Sequence, residues 1–266
     1  MTRYVPLNHF RRSAGNMFES VDYTFTYYQG CGYDRVFYPC PVCWAQFLPW
    51  GTVGHEARLV WEDPEALIPP TIRDAVIFMN SAHDWLAPRI PDQWIRDMIR
   101  WMSRQDPSIR FYLQSKFLPR ARSFMDELYP LRNRVIMGTT LMTTSQSLLD
   151  DTGFKVTPIK DLYGALAFFS DAGFRIRLSL EPLYSFNPGI MADRVRRLRP
   201  EVVEVGLDNY LDRHRLPIPQ PSRESVRLLL QTLAPLTNTR MVLKKGMKRW
   251  LGEPDQPQAE EEAEVW

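Results

Sequence analysis

Cysteine is scarce in this chain of 266 residues, and the three present, Cys31, Cys40 and Cys43, all fall between positions 31 and 43. An odd, clustered set does not build a disulfide framework, and clustering on this scale argues for metal. Histidine is scarcer than any other titratable type apart from cysteine, with four copies. No run of about 18 apolar residues occurs, which excludes a membrane-spanning helix, and the N-terminus lacks the apolar core of a secretory signal. Charge of one sign is missing too: 33 basic residues face 31 acidic ones, for a formal charge of +2. No whole-protein field therefore draws the chain onto nucleic acid or an anionic membrane. The expectation is a soluble, cytoplasmic protein with no membrane partner.

Hydrophobic residues make up 44% of the sequence and are spread along it, enough for one large core. Aromatic and β-branched residues predict a first strand over 23–28, which runs into Gly30, Cys31 and Gly32, so the cysteines follow a strand. Short apolar runs predict further strands over 76–79, 109–113, 134–137, 174–180 and 202–205. Helical spacing recurs between them. Trp94, Ile95, Met98, Trp101 and Met102 mark a helix over 91–104, and a second is expected over 119–128. Thr157 and Pro158 open a third with Leu162, Leu166 and Phe169 on one stripe; Met191, Val195 and Leu198 mark a fourth. Ser222 caps a last one carrying Val226, Leu229, Leu230 and Leu233.

Strands alternating with helices imply parallel pairing, hence an α/β protein. Every expected strand ends in polar or metal-binding residues. In a barrel all strand ends converge on one pocket, so the expectation is a partial (β/α)6 TIM-like barrel of parallel strands over 1–239. From Arg240 the pattern breaks into Lys244, Lys245, Lys248 and Arg249, then an acidic end with Glu260, Glu261, Glu262 and Glu264. Residues 240–266 are expected as a charged, disordered tail.

Cys40 and Cys43 form a CxxC element, with Cys31 nine positions before it. A closed zinc site needs four ligands, so His9, His55 or another histidine would have to supply one, yet none stands at ligand-like spacing and there is no second CxxC. Three thiolates without a fourth ligand suit a four-iron four-sulfur cluster with one iron left open.

Gly30-Cys31, Cys40-Pro41-Val42-Cys43-Trp44-Ala45, Val76-Ile77-Phe78-Met79-Asn80-Ser81 with Asp84, Pro91-Asp92-Gln93-Trp94-Ile95, Phe111-Tyr112-Leu113-Gln114-Ser115-Lys116 and Leu178-Ser179-Leu180-Glu181-Pro182-Leu183 occur in this order. In this the sequence resembles the radical S-adenosylmethionine enzymes, and more closely a group of small phage-encoded three-cysteine proteins distantly related to spore photoproduct lyase. The resemblance covers roughly 16–210. It departs from the commonest members in the first gap, with eight residues between Cys31 and Cys40 where those have three. The resemblance implies that Cys31, Cys40 and Cys43 hold a 4Fe-4S cluster. The methionine end of S-adenosylmethionine would chelate the open iron, and an electron from a donor such as flavodoxin or ferredoxin would yield a 5′-deoxyadenosyl radical. It further implies a nucleotide or DNA substrate, for example a hypermodified thymine isomerised or elaborated in the cytoplasm of a phage-infected bacterium.

Candidate roles follow from chemistry and strand position. Asn80, Ser81 and Asp84 are expected at the methionine amine, with an Asx or Ser turn as the alternative. Thr139 and Thr140 are candidates for ribose hydroxyls, or turn formers. Glu181 interrupts an apolar run and is expected as a cofactor or catalytic contact, the alternative being an ion pair with Arg177. Lys116, a second catalytic candidate, is expected on the substrate side with Asp208 and Asn209. His83 is assigned no role. The competing function is a zinc- or cluster-stabilised nucleic-acid-binding protein without radical chemistry, using Arg194, Arg196, Arg197 and Arg199 as a phosphate surface.

Overall fold

The computed structural model describes residues 2–12, 20–30, 57–61, 63–81, 83–151, 157–208 and 218–252. Its strands are β1 (Phe10–Arg12), β2 (Tyr23–Phe25), β3 (Tyr28–Gln29), β4 (Arg58–Leu59), β5 (Val76–Met79), β6 (Arg110–Gln114), β7 (Val135–Thr140), β8 (Arg175–Leu180), β9 (Val202–Val205) and β10 (Arg240–Leu243). Eight of them form one sheet in the order β1-β2-β5-β6-β7-β8-β9-β10; β3 and β4 pair separately. From β2 to β10 every neighbour is parallel, and only β1 runs antiparallel at the edge.

The helices are α1 (Asp92–Ser103), α2 (Met125–Leu128), α3 (Gln146–Asp150), α4 (Ile159–Asp171), α5 (Pro188–Leu198), α6 (Arg223–Leu233) and α7 (Lys245–Leu251). In α1 the residues at helical spacing, Ile95, Met98, Ile99, Trp101 and Met102, are buried, each such side chain contributing about 1.5–3 kcal/mol. Asn187 caps α5, its side-chain oxygen accepting from the Ile190 amide at 3.0 Å, and Pro188 supplies the fixed φ of the first turn. Ser222 caps α6 through the Ser225 amide at 3.0 Å.

Alternation along the strands sorts side chains into two cores. Ile77 and Met79 face the helices and join the large core containing Met98 and Trp101. Val76 and Phe78 face the other way, where they form a small separate cluster with Val21, Tyr112 and Ile136 inside the curved sheet. The curvature carries Ser20, just before β2, to the far side of the interior: its hydroxyl donates to Glu204 Oε1 on β9 at 2.8 Å and accepts from Arg177 Nη1 on β8 at 3.0 Å. The α/β partial barrel expected from the strand and helix periodicity is what forms.

Its details differ in four places. The first strand stops at Phe25, because Tyr28 and Gln29 turn away to pair with β4. The segment expected as one helix over 119–128 begins as a 3-10 helix, Leu118–Phe124, before α2. The fourth strand continues through Gly138, Thr139 and Thr140, which lie in β7 rather than beyond it. The domain boundary at 239 is corrected as well, since Arg240–Leu243 is a seventh parallel strand and α7 follows it. Met241, Val242 and Leu243 are apolar enough to pair with β9, and the flanking charges hide so short a strand. Residues 253–266 lie outside the described residues.

Candidate functional site

The carboxyl ends of the parallel strands meet at one mouth of the barrel, where the side chains expected to carry chemistry fall into two sets. The first set surrounds the ends of β2, β5 and β6. Asn80 follows β5 with φ +54, a left-handed conformation that asparagine tolerates better than most residues, and it is fully buried. Its Oδ1 accepts from the amides of Tyr27 at 2.8 Å and Tyr28 at 3.3 Å, and its Nδ2 donates to Met98 Sδ at 3.6 Å. The Asn80 side chain thus ties β5 to the chain leaving β2. Ser81 beside it is half-buried.

Asp84 is also a fastener. Its Oδ1 accepts from the Leu86 amide at 3.0 Å and the Ser115 hydroxyl at 2.6 Å, and its Oδ2 accepts from the Lys116 amide at 2.7 Å. Burial pushes its carboxyl above the usual range, against the lowering effects of Ser115 and of Lys116's charge. Thr139 points to the helix side of β7 and donates to the Ser115 carbonyl at 2.7 Å. Thr140 faces inward, accepting from Gln114 Nε2 at 2.9 Å, and Gln114 Oε1 in turn accepts from the Tyr112 phenol at 2.5 Å. Burial first, and Glu204 next, raise the Tyr112 phenol well above its ordinary value, so it stays a donor.

The route to the cysteines starts here. Gly30, at φ +85, donates its amide to His83 Nδ1 at 3.1 Å, one residue before Cys31. That bond makes His83 a neutral imidazole with its proton on Nε2, and burial lowers it to about 4. Cys31, Cys40 and Cys43 lie outside the described residues, as does Asn209. Among the described residues no group of three or more His, Cys, Asp or Glu side chains could hold a metal ion.

The second set lies at the ends of β8, β9 and β10. Glu181 follows β8 and rests on Gly206 after β9, so closely that a Cβ there would stand 2.7 Å from Glu181 Cδ. Arg177 is not its partner: that guanidinium bonds Glu201 at 3.0 Å and lies 5.1 Å from the Tyr112 ring centroid. Glu181 Oε2 instead faces Lys244 Nζ at 4.0 Å, and Glu204 Oε1 stands 3.7 Å from the same nitrogen. Asp208 accepts from the Tyr184 phenol at 2.7 Å. Lys116 is half-buried, its amide held by Asp84.

Sequence reasoning missed Lys244, Glu204 and His83. Glu204 carried the same signal as Glu181, a carboxylate breaking an apolar run, and Lys244 falls on the inward phase of Arg240 and Val242 once β10 is recognised. Three of the four arginines considered as a phosphate surface have contacts within the protein. Arg197 holds both oxygens of Asp171 at 2.8 and 2.9 Å, Arg196 bonds Asp193 at 2.9 Å, and Arg194 lies over Tyr163 at 5.8 Å.

No protein-family model matches the chain, and no curated protein matches it. Solved structures of spore photoproduct lyase do. A mutant of that lyase is matched with a TM-score of 0.62 at 11% identity, over 91% of this chain and 82% of the lyase chain. The lyase complexed with dinucleoside spore photoproduct gives a TM-score of 0.59 at 12% identity, over 87% of this chain and 79% of the other. A mutant with bound AdoMet and dinucleoside spore photoproduct gives 0.53 at 12%, over 84% of this chain; this chain spans 64% of that one's length. At these identities the chain shares with spore photoproduct lyase its fold.

Proposed function

We propose that this protein is a radical S-adenosylmethionine enzyme acting on a modified base in DNA or in a nucleotide. The observation that carries the reading is that the chain leaves the first parallel strand at Phe25, passes through β3, and at Gly30, whose amide is held by His83 beyond the carboxyl end of β5, runs directly into the three-cysteine segment. The likeness of fold to a lyase seen with AdoMet and a dinucleoside lesion supports it.

The donor set suits the cluster: Cys31, Cys40 and Cys43 would hold it through three thiolates, leaving one iron for the cofactor. When bound and reduced, such a cluster and S-adenosylmethionine supply a carbon-centred radical that takes hydrogen from an unactivated carbon. The chain's own part is to bind, orient and exclude water. Asn80 and Asp84 do this by fixing the chain after β2 and the loops after β5 and β6, so the cofactor contact belongs to Ser81 and the backbone beside Asn80. Thr140 is the inward threonine and the one suited to a sugar hydroxyl. Glu181 faces the mouth as the partly exposed carboxylate of the second set; Lys116, Asp208 and Asn209 would border the substrate. Rearrangement or elaboration of a hypermodified thymine, with a flavodoxin- or ferredoxin-type donor, is the reaction class we favour.

Anaerobically purified protein is expected to be brown and to cleave S-adenosylmethionine on reduction, and Cys31→Ala to lose both colour and cleavage. Colourless protein carrying stoichiometric zinc overturns the proposal.

A further inference from the structure

Among the described residues, the ammonium of Lys244 is a buried charge inside the barrel without a hydrogen bond. It continues the inward phase of β10 and is 1% exposed, and its Nζ has no hydrogen-bond partner among the described residues. Glu204 Oε1 at 3.7 Å and Glu181 Oε2 at 4.0 Å neutralise it by charge, yet a charge-assisted bond closes at about 2.7–2.9 Å. Each carboxylate stands roughly 1 Å too far. Glu204 is held back by the Ser20 hydroxyl, and Glu181 lies along Gly206. A buried ammonium with unmet donors is costly, and an oxygen placed between Lys244 and Glu181 removes that cost.

The charges at hand decide which oxygen fits. Two carboxylates face one ammonium, so the trio is net negative and opposes a phosphate or carboxylate ligand. A hydroxyl is neutral and does both tasks, accepting from Nζ while donating to Glu181. Glu181, with its side chain 17% exposed, gives such a ligand access, whereas Lys244 is closed off at 2%.

We propose that Lys244 and Glu181 form a hydroxyl-binding pair that holds the sugar of a nucleoside ligand. That the ligand is a nucleoside rests on the function proposed above; the hydroxyl chemistry does not. The sugar could belong to the cofactor or to the substrate. Equilibrium titration of the full-length protein with adenosine against 2′,3′-dideoxyadenosine, and with thymidine against 3′-deoxythymidine, separates these sources.

The wild type is expected to prefer the hydroxyl-bearing member of at least one pair by about tenfold, the pair showing it naming the source. Lys244→Met and Glu181→Gln are each expected to bring that ratio close to one. Glu181→Gln keeps shape and decides alone should circular dichroism show Lys244→Met unfolded. A wild type that binds neither pair, or does not discriminate, overturns the proposal, as do variants that keep the preference. The titration needs no cluster, so protein that discriminates yet never cleaves S-adenosylmethionine refutes the radical reading alone, and the converse result refutes only the pair.

Discussion

At the ends of β5 and β6, the side chains of Asn80, Asp84 and Ser115 are bonded to the amides and hydroxyls of neighbouring segments at 2.6 to 3.3 Å. At the ends of β8, β9 and β10, the Lys244 ammonium stands 3.7 Å from Glu204 and 4.0 Å from Glu181. Both sets are polar, and both sit where parallel strands converge. The difference lies in what a ligand would have to displace. On the first side it would break bonds that hold the loops before it could make new ones; on the second it would complete a shell. Polar residues at strand ends therefore divide into those that build the mouth and those gathered around a buried ammonium that lacks a hydrogen bond among the described residues.

The sharpest way to break this division is Asn80→Ala. It strips the acceptor from the Tyr27 and Tyr28 amides and puts a poor residue at φ +54, for an expected loss of about 3 kcal/mol in urea unfolding. Asn80→Gly, which relieves the backbone strain, should recover part of that loss. If Asn80→Ala unfolds like the wild type, the side chain is not a fastener and returns to the list of cofactor contacts.

Gly206→Ala tests the other side with a smaller stability effect. The new methyl would meet Glu181 Cδ at 2.7 Å and Cγ at 2.8 Å. These atoms end a movable side chain, so the cost is expected at about 1 kcal/mol, the low end of overpacking. What should change is the place of Glu181, and with it the affinity for a hydroxyl-bearing nucleoside. A variant that loses stability heavily but keeps that affinity would reverse the roles assigned to the two sides.

How much of this could be read beforehand follows the same line. Periodicity located all six expected strands, because parallel strands buried on both faces are short apolar runs and the helices between them keep a 3.6 period. β10 was hidden by its brevity and by Lys244, whose charge reads as solvated until pairing with β9 turns it inward. Glu181 was legible as a carboxylate in an apolar run, but its partner was not: Arg177 is four residues away in sequence and faces Glu201, while Lys244 is 63 positions on and reaches Glu181 only across the sheet. Nor could sequence tell that Asn80 and Asp84 would be occupied, since their acceptors look the same whether an amide or a ligand fills them.

The smallest expected effect concerns His83, the link between the built side and the cysteine segment. Its Nδ1 takes the Gly30 amide, and burial lowers its pKa from 6.5 to about 4. Between those values the unfolded chain binds a proton that the folded chain refuses. Stability from the neutral imidazole is thus whole above pH 6.5 and is lost as pH falls toward 4. His83→Asn offers an amide oxygen near the place of Nδ1 and has nothing to titrate. Near neutral pH it should cost about 1 kcal/mol or less. The wild type's margin over it should then shrink steadily on acidification below pH 6.5, because only the wild type carries the slope. Asp84, raised by burial, has the opposite sign, losing its contribution as pH rises, but it is present in both chains and cancels in the difference. Urea unfolding of the two proteins at a series of pH values reads this margin directly. A margin independent of pH would mean that His83 titrates alike in folded and unfolded chains, and the amide before Cys31 would then lose its anchor on the built side of the mouth.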